Sequence, residues 1–445
     1  MKKKFLLTLS PCLLLFLLPF HVPLSVFYHT LAPYGTINKY LVASVIFLTS
    51  VLLFDVFLSN EMYRKRYTGR LSWLLLLLAS LALRFGLFDF QTDDYREALS
   101  VWFDYIKDNG GFAALKYRNF SDYNSLYLYL MAGLTYLPIH KLYSIKLLTV
   151  LFDFLGAWAL FKIVALKNPT GFRPFFAALV LLLAPTVLFN GALWAQCDMI
   201  FTAFLLWSLY YMIKDLPNFR LAIVFFAFGL MFKLQAVFFV LPLTFIYLSR
   251  KVKLWEFLII PLVWVITILP NVLLGRSFFD LLLIYARQVV RYPSLAYNSP
   301  SLYNLFPNAP FELFNTWGII LAFCFVMLFV GVVLKLDIKF NKEVLIRIAF
   351  ISVMVIPFFL PKMHERYFFA ADIFAIVYVF FVGRLWFVAI AMNLISLSCY
   401  VPFLFKEELF EGKYLTISLL AVICIVLYEF WDFSRMNSTK QERLL

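Results

Sequence analysis

An apolar run passes directly into a polar segment in 71-LSWLLLLLASLALRFGLFDFQTDDYREALSVWFDYIKDNGG-111. Residues 71–89 are long enough for a membrane-spanning helix, which needs about 20 predominantly apolar residues. Asp93 and Asp94 follow at the mouth of this helix, and ionisable groups at membrane depth are expensive enough to suggest a function. The stretch therefore predicts a membrane helix that delivers an acid pair to a membrane surface.

The composition extends this interpretation to the whole chain. Of its 445 residues, 64% are hydrophobic and 14% are charged, whereas soluble domains have about 25% charged residues. The net charge of +14 is scattered over short loops and does not indicate a nucleic-acid partner. The five cysteines show no CxxC or other metal spacing, which favours buried thiols. We therefore predict an all-α, polytopic integral membrane protein.

Apolar segments recur from one end of the chain to the other, with no room for a soluble domain. The first apolar run lacks a small-residue cleavage site and is interpreted as a retained helix, not a signal peptide. The candidate spanning segments are 5–27, 40–59, 71–89, 125–139, 143–166, 173–189, 193–213, 219–232, 236–249, 254–274, 317–334, 344–361, 366–383, 385–403 and 414–431.

The positions of lysine and arginine predict the orientation, because short basic loops are typical of the cytoplasmic side. The basic stretches are the leading KKK, 60–70, 166–173, 249–253, 335–343 and the tail 434–445. Both termini are then cytoplasmic, so the number of crossings is even. We expect the short, Tyr-rich segment 125–139 to stay at the outer surface, which leaves about 13–14 crossings. The polar stretches 88–124, 190–198, 233–235, 275–316 and 361–366 then all lie outside.

The first outer loop has a helical pattern of its own. Apolar residues recur at Ala98, Leu99, Trp102, Phe103 and Ile106. This spacing of three and four predicts an amphipathic helix that lies on the membrane interface. Gly110 and Gly111 are expected to end it.

Acids and bases from separate helix ends converge on the outer face. The candidate site residues are Asp93, Asp94, Gln196, Asp198, Lys233, Gln235, His364, Glu365 and Arg366. The acid pair could act as a general base on a hydroxyl or hold a divalent cation, and the alternative is a solvated helix end. Lys233 could meet a phosphate, with Gln235 as a hydrogen-bonding neighbour, or extend to the interface. Arg366 suits phosphate oxygens, unless 361–366 is an ordinary loop.

Four stretches in this order resemble the GT-C membrane glycosyltransferases, and in particular the bacterial and archaeal proteins similar to the GPI-anchor mannosyltransferases. The stretches are 94-DYREALSVWF-103; 122-DYNSLYLYL-130 with 146-KLLTVLFDF-154; 193-LWAQCDMIFTAFLLWS-208 ahead of 232-FKLQAVFFVLP-242; and 360-LPKMHERYFF-369. A weaker resemblance links the chain to the dolichol-phosphate-glucose-dependent glucosyltransferases. The chain departs from the family at Ala195, where glycine is common, and at Asn124–Ser125, where Pro-Pro is common.

The resemblance implies a GT-C-like fold and an inverting transfer from a polyprenyl-phosphate sugar. Asp94 matches the position of the catalytic base, with Asp93 as its neighbour. Gln196 and Asp198 match a polar motif that faces the same cavity. The resemblance assigns the donor phosphate to Lys233, Gln235, His364 and Arg366, with Glu365 among them.

The resemblance also implies an organisation of the chain as one transmembrane glycosyltransferase domain over 1–445. Residues 1–70 would supply two extra N-terminal helices, 71–274 the catalytic module and 275–445 variable C-terminal helices. The loop 275–316, with 295-LAYNSPSLYNLF-306, would either close over the lipid donor or form a plain interfacial loop.

The function expected on these grounds is transfer of a hexose, mannose before glucose, to a glycan, lipid or protein acceptor outside the cytoplasm. A bacterial or archaeal plasma membrane is favoured, with membrane lipid around the helices. Metal dependence stays open, because one acid pair serves as base or cation ligand. Two alternatives stay open as well, a transporter or flippase of lipid-linked sugars and a polymerase or ligase of lipid-linked glycans.

Overall fold

A computed structural model describes residues 68–118, 120–169, 172–290, 292–336 and 338–436. The predicted helices 5–27 and 40–59 lie outside the described residues, as do Cys12 and most of the C-terminal tail. The described part is mostly helical, with two strands of two residues each. The predicted all-α class is therefore confirmed for this part of the chain.

The helices of the first half follow the predicted segments. They are α1 (Thr68–Phe85), α2 (Ser100–Asp108), α3 (Ser125–Leu134), α4 (Lys141–Ala165), α5 (Arg173–Leu183), α6 (Pro185–Leu193), α7 (Asp198–Ile213), α8 (Phe219–Phe232) and α9 (Leu234–Leu248). The π-helical turn Tyr95–Leu99 leads into α2, and the 3-10 turn Gly111–Lys116 follows it.

The second half adds the remaining helices and the two short strands. They are α10 (Leu254–Leu273), α11 (Phe278–Leu282), α12 (Ile284–Val290), β1 (Ala296–Tyr297), α13 (Phe311–Leu336), α14 (Lys342–Phe359), β2 (Met363–His364), α15 (Phe369–Val382), α16 (Phe387–Phe405) and α17 (Gly412–Met436). The 3-10 turn Leu302–Leu305 lies between β1 and α13.

Five of the described helices are long and apolar enough to cross a membrane, namely α4, α10, α13, α16 and α17. The pair α5 and α6 is bent by 48° and adds a sixth if it forms one span. The other apolar helices are shorter, which helices inside a bundle tolerate when neighbours shield their ends. These features are consistent with a multi-pass membrane protein.

Side-chain contacts place the basic loops together at one end of the helix bundle, which we call the basic end. Lys167, after α4, bonds Glu343 at the start of α14 at 2.5 Å. Lys342 reaches Asp215, after α7, at 2.5 Å. Lys251, after α9, lies over the ring of Phe340. Four loops that are far apart in the sequence therefore meet at this end.

The polar stretches meet at the opposite end, which we call the polar end. It comprises residues 86–94, 194–197, 233, 361–368 and 406–411, and its contacts are described with the site. The predicted number of crossings and the predicted orientation of these two ends in a membrane stay predictions.

Helix α3 makes no pass between the ends. Its ten residues extend about 15 Å at 1.5 Å per residue, which is half of a hydrocarbon core of about 30 Å. The Tyr129 hydroxyl donates to the Thr267 carbonyl of α10 at 3.0 Å, and Asn271 donates to Ser125 at 3.0 Å. This agrees with the expectation that segment 125–139 does not span.

The predicted amphipathic helix is present as the π-turn and α2. Leu99, Phe103 and Ile106 are buried while Asp108 on the opposite face is exposed. Gly110 ends the helix with φ +87°, a left-handed conformation that glycine adopts without steric cost. The periodicity of the sequence is sufficient to predict this element.

The structure differs from the predictions in the bounds of one helix and in the burial of two cysteines. Segment 193–213 does not form one helix, because α6 extends to Leu193 and the chain reverses before α7 begins at Asp198. The expectation of buried thiols holds for Cys197 and Cys399 and is wrong for Cys324 and Cys424. These two cysteines lie on the exposed faces of α13 and α17.

Candidate active site at the polar end

Asp94 is held by two hydrogen bonds from the turn that follows α6. Its Oδ2 accepts from Trp194 Nε1 at 2.9 Å and from Gln196 Nε2 at 2.6 Å. The Arg366 guanidinium lies 3.9 Å from the same oxygen, and the side chain of Asp94 is 31% exposed. In the described part of the chain Oδ1 has no hydrogen-bond partner. One oxygen is therefore fixed and the other is free to accept a proton.

The turn that supplies these donors is an unusual reversal of the backbone. Helix α6 ends in a π-helical turn, and Gln196 N then donates to the Asn190 carbonyl at 2.8 Å. Ala195 at the apex has φ +67°, a conformation that costs a residue with a Cβ about 1–2 kcal/mol. The reversal turns Trp194 and Gln196 towards Asp94. It also provides a physical reason for glycine at this position in the family that the sequence resembles.

Asp198 lies behind this turn, at the first position of α7, and is almost completely buried. One carboxylate oxygen pairs with Lys233 Nζ, and the other accepts from Asn190 Nδ2 at 2.8 Å. Arg366 Nε lies 3.8 Å from the second oxygen. Lys233 comes from the extended residue between α8 and α9. Asp198 therefore holds two cations in place rather than reaching a substrate itself.

Arg366 joins the acids to one another. Its Nη1 donates to Glu365 Oε1 at 2.6 Å, and the guanidinium lies over the Trp194 ring. Burial lowers the pKa of Arg366, but the carboxylates of Glu365, Asp94 and Asp198 outweigh burial and raise that pKa well above its ordinary value. Burial raises the pKa of Glu365. Arg366 therefore stays charged beside Asp94.

A cavity of about 360 Å³ adjoins this cluster. Three cationic side chains line it, Lys233, Lys362 and Arg366, together with Gln235, whose buried Oε1 has no hydrogen-bond partner. The remaining walls are largely apolar and aromatic, from Tyr123, Phe232, Leu234, Val237, Phe238, Tyr285, Val289, Tyr292, Ile319, Leu360, Met363 and Tyr367. A ligand with an anionic head and an apolar body matches these walls.

The cavity also reaches the outside of the helix bundle. Val237 of α9, Val289 of α12 and Ile319 of α13 line it and are 40%, 47% and 50% exposed. The cavity therefore opens at the side of the helix bundle.

The long loop after α10 lines one side of this cavity, and whether it closes over a lipid donor stays a prediction. Strands β1 and β2 pair in parallel, and Lys362 N donates to the Leu295 carbonyl at 2.7 Å. The His364 ring stacks on Tyr297 at 4.6 Å and meets the edge of Tyr292 at 4.6 Å. Burial, followed by the charges of Arg366 and Lys233, lowers the pKa of His364 to about 3. Neutral His364 therefore fastens the loop and does not line the cavity.

Asp93 points away from the cluster although it adjoins Asp94 in sequence. Its oxygens accept from Arg96 Nη2 at 2.7 Å and from Lys406 Nζ at 2.8 Å. The hydrogen bonds from Lys406 and Arg96 lower the pKa of Asp93. The two acids do not converge on a shared cation position. Asp93 instead ties the loop after α1 to Lys406, the residue that follows α16.

Two buried groups below the site hold the segment that carries Asp94. Lys146 of α4 donates to the carbonyls of Leu87, Phe88 and Phe90 at 3.1, 2.8 and 2.7 Å. Arg84, on the last turn of α1, donates to Asp153 of α4 at 3.0 Å. The chain between α1 and Asp94 is thus clamped to α4.

Sequence reasoning singled out most of this cluster and missed three of its members. Trp194, Asn190 and Lys146 lie inside stretches that the motif comparison quotes or borders, but were not assigned roles. Lys146 carried a usable signal, because a lysine inside an apolar run is expensive and so implies a buried partner. Trp194 and Asn190 carried none, since their roles depend on the reversal at Ala195.

No family model matches this chain, and no curated protein matches it. Within the described ranges, no group of three or more His, Cys, Asp or Glu residues is arranged to hold a metal ion.

Proposed function

We propose that this protein is an inverting membrane glycosyltransferase of the GT-C type. It moves a hexose, mannose in first place and glucose in second, from a polyprenyl phosphate to a hydroxyl group of an acceptor outside the cytoplasm. The observation that carries the proposal is the position of Asp94, oriented by Trp194 and Gln196 and separated only by Arg366 from a cationic cavity.

The chemistry is a single displacement at the anomeric carbon. Asp94 Oδ1 takes the proton of the acceptor hydroxyl while the acceptor oxygen forms a bond to that carbon. The bond from the carbon to the phosphate oxygen breaks, and its electron pair leaves with the lipid phosphate. Attack from the face opposite the phosphate inverts the configuration. Fixed donors next to the reacting groups reduce the reorganisation that water would require.

The cations of the cavity stabilise the leaving group. The phosphate oxygens are stabilised by the positive charges of Lys233, Lys362 and Arg366. The planar guanidinium of Arg366 can bind two oxygens at once, whereas a lysine ammonium acts as a point charge. The unpartnered Gln235 Oε1 is an acceptor and favours a sugar hydroxyl rather than phosphate. The sideways opening accommodates the polyprenyl chain.

The orientation follows from the two ends of the bundle. Loops rich in lysine and arginine stay in the cytoplasm, so the basic end would lie inside and the polar end outside. A donor at the outer face must arrive on a lipid rather than on a nucleotide. A bacterial or archaeal plasma membrane fits this arrangement, and the first outer loop with α2 would lie along its surface.

A transporter or flippase of lipid-linked sugars is the second candidate, favoured by one observation. Helices α5 and α6 form a broken pair bent by 48°, and discontinuous helices are a feature of secondary transporters. The break leads directly into the turn that holds Asp94. The same break would serve either function, and the position of the charged cluster at one end favours the enzyme.

The test is transfer of radiolabelled mannose and glucose from their polyprenyl phosphates in membranes that contain the native chain or Asp94→Asn. We expect transfer by the native chain and its loss in the variant at equal protein level. Lipids that carry an oligosaccharide are tested in parallel, and transfer from these lipids would identify a polymerase or ligase instead. Addition of EDTA shows whether a divalent cation takes part. Movement of intact lipid-linked sugar between leaflets without transfer would support the transporter instead.

A further inference from the structure

Asp372, in the first turn of α15, is a completely buried carboxyl group outside the active-site cluster. Its Oδ1 accepts from Ser396 Oγ of α16 at 2.8 Å, and its buried Oδ2 has no hydrogen-bond partner among the described residues. Every other buried carboxylate in the described ranges lies beside a lysine or arginine: Asp153, Asp198, Glu256, Asp280, Glu365 and Glu429. Asp372 has no such partner there. A buried charge without compensation is strongly unfavourable.

Oxygen-bearing side chains from two helices, α6 and α16, surround this carboxyl group. Thr186 of α6 lies near Asp372 and donates its hydroxyl hydrogen to Asn393 Oδ1 at 2.8 Å. Asn393 and Ser396 both come from α16. Thr186 lies two residues beyond the break at Ala184, whose ψ of 129° interrupts the helix. One carboxylate, two hydroxyls and one amide oxygen thus meet at a helix break.

We infer that Asp372, Ser396, Thr186 and Asn393 form a binding site for a monovalent alkali cation, Na⁺. Oxygen atoms are the ligands of hard cations, and the unwound backbone of interrupted helices contributes carbonyl oxygens to Na⁺ sites in membrane transporters. A charge of +1 balances the single carboxylate. A divalent cation would leave a buried excess of positive charge.

The cation would order the active site, because the three elements at this position all lead to it. Helix α6 continues to Trp194 and Gln196, which hold Asp94. Helix α15 begins just after Arg366, and α16 ends next to Lys406, the partner of Asp93. Neutralising Asp372 would draw these elements together. This inference concerns binding and does not depend on which reaction the protein catalyses.

The direct test is binding of ²²Na⁺ to the purified full-length protein in detergent, with competition by NaCl and choline chloride. We expect saturable binding that NaCl displaces and choline chloride does not. Asp372→Asn should weaken the affinity at least tenfold and Ser396→Ala several-fold. Asp215→Asn, which changes an exposed carboxylate at the basic end, is the matched control and should bind as the native chain does.

A second measurement keeps the test decisive if Asp372→Asn does not fold. The unfolding temperature of the native chain is measured in NaCl and in choline chloride at equal ionic strength. It should rise with NaCl, because a ligand that binds only the folded state stabilises it. Absence of displaceable ²²Na⁺, or native-like binding by Asp372→Asn, would overturn the inference. Equal unfolding temperatures in the two salts would also overturn the inference of a cation site. Asp372 would then be a neutral, protonated carboxyl group.

Discussion

Gln196 Nε2 donates a hydrogen bond of 2.6 Å to Asp94 Oδ2, although 102 positions separate the two residues in the chain. Trp194 donates to the same oxygen from the same turn. The pair of donors fixes the direction of the carboxylate and leaves its other oxygen free. Asp93, one position earlier, has neither donor and is paired with Arg96 and Lys406 instead.

This difference predicts that two adjacent aspartates respond differently to the same substitution. Asp94→Asn should lower sugar transfer by about 100-fold or more, because general base catalysis contributes about 10²–10⁴ in rate. Asp93→Asn should lower it by only a few-fold, since it disturbs a surface ion pair of small energetic value. Initial rates at equal protein level check the pair. Equal losses in both variants would contradict the assignment of the base to Asp94.

Trp194→Phe should reduce the rate constant for transfer while the KM for the donor lipid stays close to native. The change removes the indole N–H donor to Asp94 and keeps a ring to pack between Phe403 and Tyr400. Hydrogen bonds to charged groups contribute about 1.5–3 kcal/mol, so we expect a loss of about tenfold or more. Trp158→Phe, at an exposed position of α4, is the control. An unchanged kcat in Trp194→Phe would show that the bond has no part in the reaction.

Lys146→Met should destabilise the protein and lower transfer although Lys146 touches no substrate. The change leaves the carbonyls of Leu87, Phe88 and Phe90 without their shared donor. Each unsatisfied buried group costs about 1–3 kcal/mol, and the segment that leads to Asp94 loses its clamp. Thermal unfolding in detergent and the kcat of transfer measure the two effects. Lys107→Met, at an exposed position of α2, should leave the unfolding temperature and the kcat unchanged. Native values of both quantities in Lys146→Met would show that Lys146 does not hold this segment in place.

Ala195→Gly should stabilise the protein by about 1 kcal/mol, because a left-handed conformation penalises a Cβ by roughly that amount. Transfer should be retained, since Trp194 and Gln196 keep their direction. Ala195→Val should be destabilising for the same reason, as a branched side chain is still less compatible with positive φ. Unfolding temperatures of the three proteins give the order. Destabilisation by glycine would mean that the methyl group contributes more through packing than it costs in strain.

His364→Phe should flatten the dependence of stability on pH below neutrality. The pKa of His364 is lowered to about 3 in the folded protein, and an unfolded histidine has a pKa near 6.5. Between these values the unfolded chain binds the proton and the folded chain does not, so stability falls as the pH falls through about 6.5 towards 3. Phenylalanine keeps the stack on Tyr297 and removes the titration. Unfolding temperatures between pH 5 and pH 7.5 test this, and identical slopes in both proteins would contradict it.

The helices and the loops that carry charge could be predicted from the sequence to a considerable extent. Helix α8 has the predicted bounds, and α2 follows the apolar spacing of Leu99, Phe103 and Ile106. Asp94, Gln196, Asp198, Lys233 and Arg366, singled out as candidates, lie together in the structure. Local patterns suffice for these features, because hydrophobic length, periodicity and the cost of burying charge are properties of short stretches.

The sequence by itself determined that this protein is helical, that it is suited to a membrane and that its acids and bases gather away from its basic loops. Three features depend on long-range contacts: Asp94 rather than Asp93 lies beside the cavity, His364 fastens a loop instead of lining that cavity, and Asp372 has no cationic partner in the described ranges. These outcomes depend on the reversal at Ala195 and on the meeting of α6, α15 and α16. Contacts between segments more than a hundred residues apart leave no trace in local periodicity, because the energy of each residue there depends on neighbours that only folding brings together.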